Sequence, residues 1–264
     1  MTPILLIGAG RMGGAILQGW RRSGAVPYRH CMLRVRSITP AAGTAEEGGA
    51  VVNPPDEALA AARTVILGVK PQVWRQVAAD YADLLSADAI IVSILVGVRL
   101  KDISEAFGGR RVARVMPTTG VAIAQGVASI YAAEAESRER AHRLFDPIAT
   151  TVDIADEGLM DAASAVSGSG PAYVYAFTEA LEAAGRRAGL PEDAARTLAR
   201  ATVVSASAYL AETGAEPSDL RREVTSPGGT TQAALSILMG EGGLEPLLRD
   251  GVQANMARAR ELAR

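Results

Sequence analysis

Ile4-Leu5-Leu6-Ile7-Gly8-Ala9-Gly10-Arg11-Met12-Gly13-Gly14-Ala15-Ile16-Leu17 decides how the first half of the chain folds. Four apolar residues read as a buried strand, and a glycine-punctuated turn runs straight from it into a helix. In that setting Gly8 can make the tight turn, Gly10 lets backbone approach a pyrophosphate, and Gly13 permits close helix–strand packing. Arg11 and Met12 open the helix, whose unpaired N–H groups suit phosphate oxygens. A glycine-rich turn alone is a weak signal. Placed between strand and helix, it points to dinucleotide binding.

Outward from this stretch, short β-branched runs recur at Cys31 to Val35, Thr64 to Leu67, Ile90 to Ile94, Val112 to Met116, Val127 to Tyr131 and Thr151 to Ile154. Several have the continuous apolar character of buried parallel strands. Helical stretches at Arg11 to Ser23, Asp56 to Ala62, Val73 to Ala82 and Leu100 to Phe107 lie between them, so the expected architecture is a doubly wound α/β sheet. Beyond about Gly158 the strand signal ends and long alanine-rich helical segments follow, which sets the expected domains at 1–156 and 157–264. Ala194, Leu198, Ala201, Ser205 and Ala208 form one stripe of mainly small side chains, open to close approach by another helix. A helical region with few large apolar residues buries little area alone, so a homodimer or larger homo-oligomer is expected.

The second strand also bears on cofactor choice. A site for NAD usually ends this strand in Asp or Glu, which accepts from the ribose 2′-hydroxyl, whereas Cys31-Met32-Leu33-Arg34-Val35-Arg36-Ser37 contains no acid. A guanidinium there can pair with a 2′-phosphate, and Ser37 can donate another hydrogen bond. NADPH is therefore expected, with NADH as the alternative should Arg34 and Arg36 be merely solvated charges.

With 264 residues, 48% apolar and 21% charged, the composition is that of a packed globular protein. The formal charge of −2 provides no global field to gather nucleic acid. Cys31 is the only cysteine, which excludes intramolecular disulfides and multi-thiolate metal sites, so no metal is expected. The run Ala89 to Val98 is about half the ~20 residues of a membrane-spanning helix, and no basic segment precedes an apolar one at the N-terminus. A cytoplasmic protein without membrane partners is expected. The only lysines are Lys70 and Lys101, and the only histidines, His30 and His142, fall on surface segments with no expected role. No lysine or histidine follows His142, which restricts the acid–base chemistry of the second half.

Two loops stand out there. Ser226-Pro227-Gly228-Gly229-Thr230-Thr231 precedes a helical run and can gather N–H groups and hydroxyls around a small anion such as a carboxylate. It reads equally well as a Ser/Thr-capped helix start. Ser167-Gly168-Ser169-Gly170-Pro171-Ala172-Tyr173 could let a helix start approach a ligand, or form a tight helix–helix corner; Tyr173, Phe177 and Leu181 that follow should mark a buried face.

These pieces, together with Val69-Lys70-Pro71, Val92-Ser93-Ile94, Gly97-Val98 and Arg114-Val115-Met116-Pro117, make the sequence resemble the pyrroline-5-carboxylate reductase family through essentially the whole chain. The resemblance implies an N-terminal Rossmann-like domain and a C-terminal helical domain that intertwines with a second subunit. It further implies that Ser226, Gly228, Gly229 and Thr230 hold the substrate carboxylate and that Thr231 sets its hydroxyl by the ring nitrogen, as the catalytic side chain. Gly8, Gly10, Arg11, Met12, Gly13, Arg36, Ser37 and the Val69-Lys70-Pro71 turn would line the cofactor. One departure is visible: the family usually reads Met-Pro-Asn-Thr-Pro where this chain has Met116-Pro117-Thr118-Thr119-Gly120. Thr118 offers fewer hydrogen-bonding groups than an amide, and Gly120 should loosen a turn that proline would stiffen.

The implied activity is reduction of the C=N bond of 1-pyrroline-5-carboxylate to L-proline, the last step of proline biosynthesis. If the ring nitrogen arrives protonated, little acid–base machinery is needed, in keeping with the missing lysine and histidine. The rivals are a reductase for a related cyclic imine, a β-hydroxyacid dehydrogenase, which would call for a proton-accepting residue such as lysine in the helical half, and a non-catalytic NADP-binding homologue.

Overall fold

The computed structural model describes residues 1–262 and contains one eight-stranded sheet. Its strands are β1 (Ile4–Ile7), β2 (Cys31–Arg34), β3 (Val51–Val52), β4 (Thr64–Leu67), β5 (Ile90–Ser93), β6 (Val112–Pro117), β7 (Gly126–Ala132) and β8 (Ala149–Asp153), in the order β3-β2-β1-β4-β5-β6-β7-β8. All neighbours are parallel except β6 and β7. Helix α1 (Arg11–Ser23) covers one face of the central strands. Helices α3 (Trp74–Tyr81) and α4 (Leu100–Ala106) cover the other. Strand β1 is buried throughout because both faces are covered: Ile4 and Leu6 belong to the α1 core, Leu5 and Ile7 to the α3–α4 core. The doubly wound reading holds.

Differences from the expected elements have local causes. Strand β3 was not foreseen, since two residues carry no periodicity. The stretch from Asp56 is a 3-10 turn (Asp56–Ala61) with Leu59 as its single buried anchor, rather than an α-helix. Strand β7 runs antiparallel to β6 because the link between them is too short for a helical crossover: a 3-10 turn (Thr119–Ile123) reverses the chain. That turn packs hard on α1, where a Cβ on Gly19 would lie 2.1 Å from the Val121 carbonyl oxygen. Helix α1 has the expected limits and ends on Gly24 in the left-handed conformation, whose N–H bonds to Trp20 O. Trp20 in turn donates its indole N–H to Leu144 O at 2.9 Å, joining α1 to α5 (Ala135–Phe145). Helix α2 (Pro40–Glu47) starts with Thr39 as N-cap and proline in the first turn.

By compactness the chain forms two units, one of residues 1–168 with 256–262 and one of 169–255. The first ends with the short helix α6 (Met160–Ala163) and a π-helical turn, Ser164–Gly168. The second holds α7 (Gly170–Arg187), α8 (Glu192–Thr213), α9 (Pro217–Glu223), α10 (Thr230–Leu238) and most of α11 (Leu244–Leu262). Its apolar side chains are not gathered inward. Phe177 and Leu181, on the face that the spacing marked as buried, are 43% and 36% exposed in a single chain, while Tyr173 on the same face is half-buried. The small-residue stripe of α8 is likewise open, with Leu198 exposed, and Val204, Ile237 and Leu247 are exposed as well. No helix among the described residues is long and apolar enough to cross a membrane, and no cluster of three or more His, Cys, Asp or Glu among them could hold a metal.

His142, expected to be without a role, bridges two carboxylates: Nδ1 lies 2.9 Å from Asp146 and Nε2 3.1 Å from Asp153. Burial lowers its pKa, but the hydrogen bonds and charges of Asp146 and Asp153 outweigh that and hold it above the ordinary histidine value. A raised folded pKa stabilises the protein fully below the unfolded value, and the benefit disappears as pH rises through the folded value. The melting-temperature gap between wild type and His142→Gln should therefore be wider at pH 5.5 than at pH 8.5, and an equal gap at both would refute the pairing.

Candidate active site

Three glycines are locked together where β1 meets α1. Gly8 has φ +95°, and a Cβ on it would lie 2.7 Å from the Gly68 carbonyl oxygen. A Cβ on Gly13 would lie 2.3 Å from Gly8 O, and one on Gly68 2.5 Å from the same atom. Gly10 differs: a Cβ there would meet nothing within 4 Å. Gly10 is the N-cap of α1 with no side-chain cap, so the first-turn N–H groups face open space. A cavity of about 360 Å³ opens beside it, bordered by Ala9, Arg11 and Thr39. The protein has filled the space at Gly8 and Gly13 and left it free at Gly10, as a pyrophosphate against the helix N-terminus requires.

The neighbouring strand ends lie along the same carboxyl edge. Ile7 is in register with Arg34 on β2 and Leu67 on β4, so Arg36 and Ser37 leave the sheet beside the phosphate loop on one side and Val69, Lys70 and Pro71 on the other. The structure separates the two arginines. Arg34 is ion-paired with Asp56 and lies over the Tyr81 ring, 5.4 Å from its centroid, so it is neither solvated nor free for a ligand. Arg36 and Ser37 are exposed. Asn53, which the sequence reading passed over, accepts the Val35 N–H on Oδ1 at 3.0 Å and steadies this turn. Its only signal was an asparagine after two valines and before two prolines. Lys70 is exposed at the start of a 3-10 turn led by Pro71, and Val69 abuts Gly8.

In the second unit the Ser226–Thr231 loop leads into α10 without a side-chain cap. Gly229 is the N-cap of α10, and no side chain caps the helix; the hydroxyls of Ser226, Thr230 and Thr231 are not used there. Gly228, at φ +70°, gives its N–H to Gln232 Oε1 at 2.5 Å, and Gly229 gives its own to Ser226 O at 3.0 Å. The loop is thus closed by backbone and Gln232, while the first-turn N–H groups of α10 and three hydroxyls stay available to an anion. At the other loop, Ser167 bonds back to Ala163 O, and Ser169 accepts from the Asn255 amide at 2.7 Å. A Cβ on Gly170 would meet nothing within 4 Å, so this glycine does not serve a tight helix–helix corner.

A family model for pyrroline-5-carboxylate reductase dimerisation matches residues 157–262, and one for NADP oxidoreductase, coenzyme F420-dependent, matches residues 3–97. The pyrroline-5-carboxylate reductase of Pisum sativum is 36% identical over 259 residues, covering 97% of this chain and 94% of that one. The chain belongs to the pyrroline-5-carboxylate reductase family. The fold agrees. The reductase structure from Coxiella burnetii matches with TM-score 0.88 at 28% identity, covering 100% of this chain and 99% of that one. A Plasmodium falciparum pyrroline carboxylate reductase with NADP bound shares the fold at TM-score 0.85 and 22% identity, covering 100% and 98%.

Against that family background, the departure at Thr118 acquires a structural reading. The reductase buries Thr118, whose hydroxyl oxygen accepts the Val127 N–H at 3.0 Å while its own N–H bonds to Val127 O at 2.8 Å. Its oxygen therefore joins β6 to β7. Gly120 does not loosen the turn as expected: a Cβ there would lie 2.8 Å from Gln125 O, so glycine is what lets the turn close.

The contrast between filled and open glycines gives a paired test. Gly13→Ala pushes a methyl into a backbone carbonyl and should cost about 1–3 kcal/mol of stability. Gly10→Ala should leave the melting temperature within a degree or two yet weaken NADPH binding roughly tenfold or more, about 1.4 kcal/mol. Calorimetry and a binding titration on both variants separate the two; equal effects on stability would refute the assignment.

Proposed function

We propose that this family member reduces the C=N bond of 1-pyrroline-5-carboxylate with NADPH, releasing L-proline in the last step of proline biosynthesis. The observation that carries the reading is a repeated one: α1 and α10 both begin on a glycine with no side-chain cap. Uncapped helix starts favour anions, one suited to a pyrophosphate and one to a carboxylate. Gly8, Gly10, Arg11, Met12, Gly13 and the Val69-Lys70-Pro71 turn would hold the coenzyme. Arg36, with Ser37, is exposed at this strand end and suited to the 2′-phosphate, because Arg34 is engaged by Asp56.

Bound NADPH supplies the hydride for the imine carbon. The residues of the chain have the remaining tasks. Ser226, Gly228, Gly229 and Thr230 would fix the carboxylate, and with it the plane of the ring. Thr231 would orient the ring nitrogen through its hydroxyl. An iminium nitrogen keeps its proton as the amine forms, so a hydroxyl suffices where a strong acid or base is absent. Water exclusion and alignment carry the rate.

The helical region, residues 157–264 as first delimited, would pair with the same region of a second copy. The dimerisation match and the apolar side chains left uncovered on α7, α8 and α10 support this pairing. A cytoplasmic location is supported by Cys31 being the only cysteine, so that the chain forms no intramolecular disulfide.

Thr231→Ala should lower kcat roughly tenfold or more while NADPH affinity stays within about twofold, since the contact is to the reacting ring. Unchanged turnover removes Thr231 from the mechanism. Arg36→Ala should weaken NADPH by about 1.5–3 kcal/mol and leave NADH unaffected; equal losses for both coenzymes would exclude the 2′-phosphate contact. The function itself is tested by mixing protein, NADPH and pyrroline-5-carboxylate, with the six-membered analogue alongside, and following nicotinamide absorbance. No imine-dependent oxidation with either would refute it.

A further inference from the structure

One transverse row of the sheet reads Arg34, Ile7, Leu67, Ser93, Arg114. Ile7 and Leu67 face the α3–α4 layer, and strand alternation turns the two arginines the same way. The row lies directly below the turns that begin at Gly8 and Gly68, with an arginine toward each end. Each guanidinium is paired with a carboxylate on a connection, Asp56 after β3 and Glu157 after β8, and each keeps its Nε buried without a hydrogen-bond partner. Only the Arg114–Glu157 pair is buried, with side chains 3% and 17% exposed, whereas Asp56 is 59% exposed. A buried ion pair with an orphaned donor is a poor way to stabilise a sheet, because apolar side chains would serve as well or better, so its value lies in fixing geometry.

Arg34 lies below the turn that carries Arg36 and Ser37. Arg114 lies two residues before Met116-Pro117-Thr118, at the other side of the same edge. Its side chain is 3% exposed and its Nη1 is 2.8 Å from Glu157 Oε1. The same oxygen accepts the Leu100 N–H at 2.6 Å, at the start of α4, where the N-cap residue Arg99 provides no side-chain bond. One carboxylate oxygen thereby joins β6, α4 and the chain leaving β8. A dinucleotide lies across the carboxyl edge of a doubly wound sheet. With Arg36 and Ser37 at the adenosine side, the ends of β5 and β6 remain for the nicotinamide.

We infer that Arg114 is a positioning residue for hydride transfer: acting through Glu157, it sets where the end of β6 and the start of α4 stand beneath the reacting ring. The inference rests on the proposed reductase function. It gives Arg114 a part beyond the coenzyme- and substrate-lining residues, without contact to either ligand.

The test uses the full-length enzyme with Arg114→Lys, Glu157→Gln and the double variant Arg114→Met/Glu157→Met. Melting temperature, NADPH affinity, kcat and the primary isotope effect with C4-deuterated NADPH are measured for each. Wild type must first reduce pyrroline-5-carboxylate; if it does not, the function has failed and not the positioning. Glu157→Gln keeps an oxygen for the Leu100 N–H and loses the charge. It should bind NADPH within about threefold of wild type while kcat falls about tenfold or more and the isotope effect grows, because displacements near 1 Å can cost roughly a hundredfold. Arg114→Lys keeps a cation opposite Glu157 and should lose less turnover than Glu157→Gln. The double variant replaces the pair with apolar volume and should still fold, with a modestly lower melting temperature from the unpaired Leu100 N–H, but be slow. A lowered melting temperature with unchanged kcat and isotope effect, in whichever variants fold, would reduce the pair to a structural tie, and full turnover in the double variant would overturn the proposal outright.

Discussion

The contact on which the rest depends is the approach of three backbone segments at Gly8, Gly13 and Gly68, each close enough to a carbonyl oxygen to leave no room for a Cβ. It brings α1 down onto the end of β1 and draws β4 alongside, so that three chain segments meet with only backbone between them. Side chains could not provide this edge, because any of them would hold the segments apart. The space that is not filled, at Gly10, then has a defined shape and an uncapped helix dipole aimed into it.

The same economy governs the second unit. It has no lysine or histidine, and the loop proposed to hold the substrate carboxylate is built from N–H groups and hydroxyls. A carboxylate held this way meets partial charges fixed in the backbone, which neither titrate nor reorient, and no ammonium competes for the nearby ring nitrogen. A reaction whose proton is already on the substrate tolerates that absence. An alcohol dehydrogenation, which has to remove a proton, would not, and so the missing residue types restrict the chemistry as much as the present ones do.

Much of this was legible in the residues. Strand β1 and helix α1 were delimited correctly because a buried parallel strand and a glycine-opened helix each leave a strong local pattern. The cradle at Ser226–Thr231 was visible as a loop, but whether its hydroxyls capped α10 was not: the answer depends on Gln232 reaching back to Gly228, a contact between side chain and backbone that no composition rule encodes. Arg34 and Arg36 looked alike in sequence and part company in space, since only Arg34 points within reach of Asp56, twenty-two residues on. The antiparallel turn of β7 and the role of Gly120 escaped for the same reason: both are set by what packs against the Thr119–Ile123 turn, not by the turn's own residues. The apolar spacing of Tyr173, Phe177 and Leu181 marked a face that needs covering, and Phe177 and Leu181 are exposed in a single chain, because periodicity does not say which chain covers a face.

That last point links assembly to catalysis. Helices α7 and α10 contain no buried residue within one chain, although both present large apolar side chains. Helices of such length have little stability of their own in water and owe their order to an apolar face that is covered. The loop proposed to hold the substrate carboxylate ends on α10, and the Ser169 loop leads into α7. Whatever surface covers those faces therefore fixes the direction of the N–H groups and hydroxyls at both loops. For a cradle made of backbone, where affinity depends on several weak dipoles converging on one point, a helix start that frays loses the site even though every residue of it remains. Subunit pairing would thus be part of building the proposed carboxylate site, and the apolar surface left on each single chain is the physical reason.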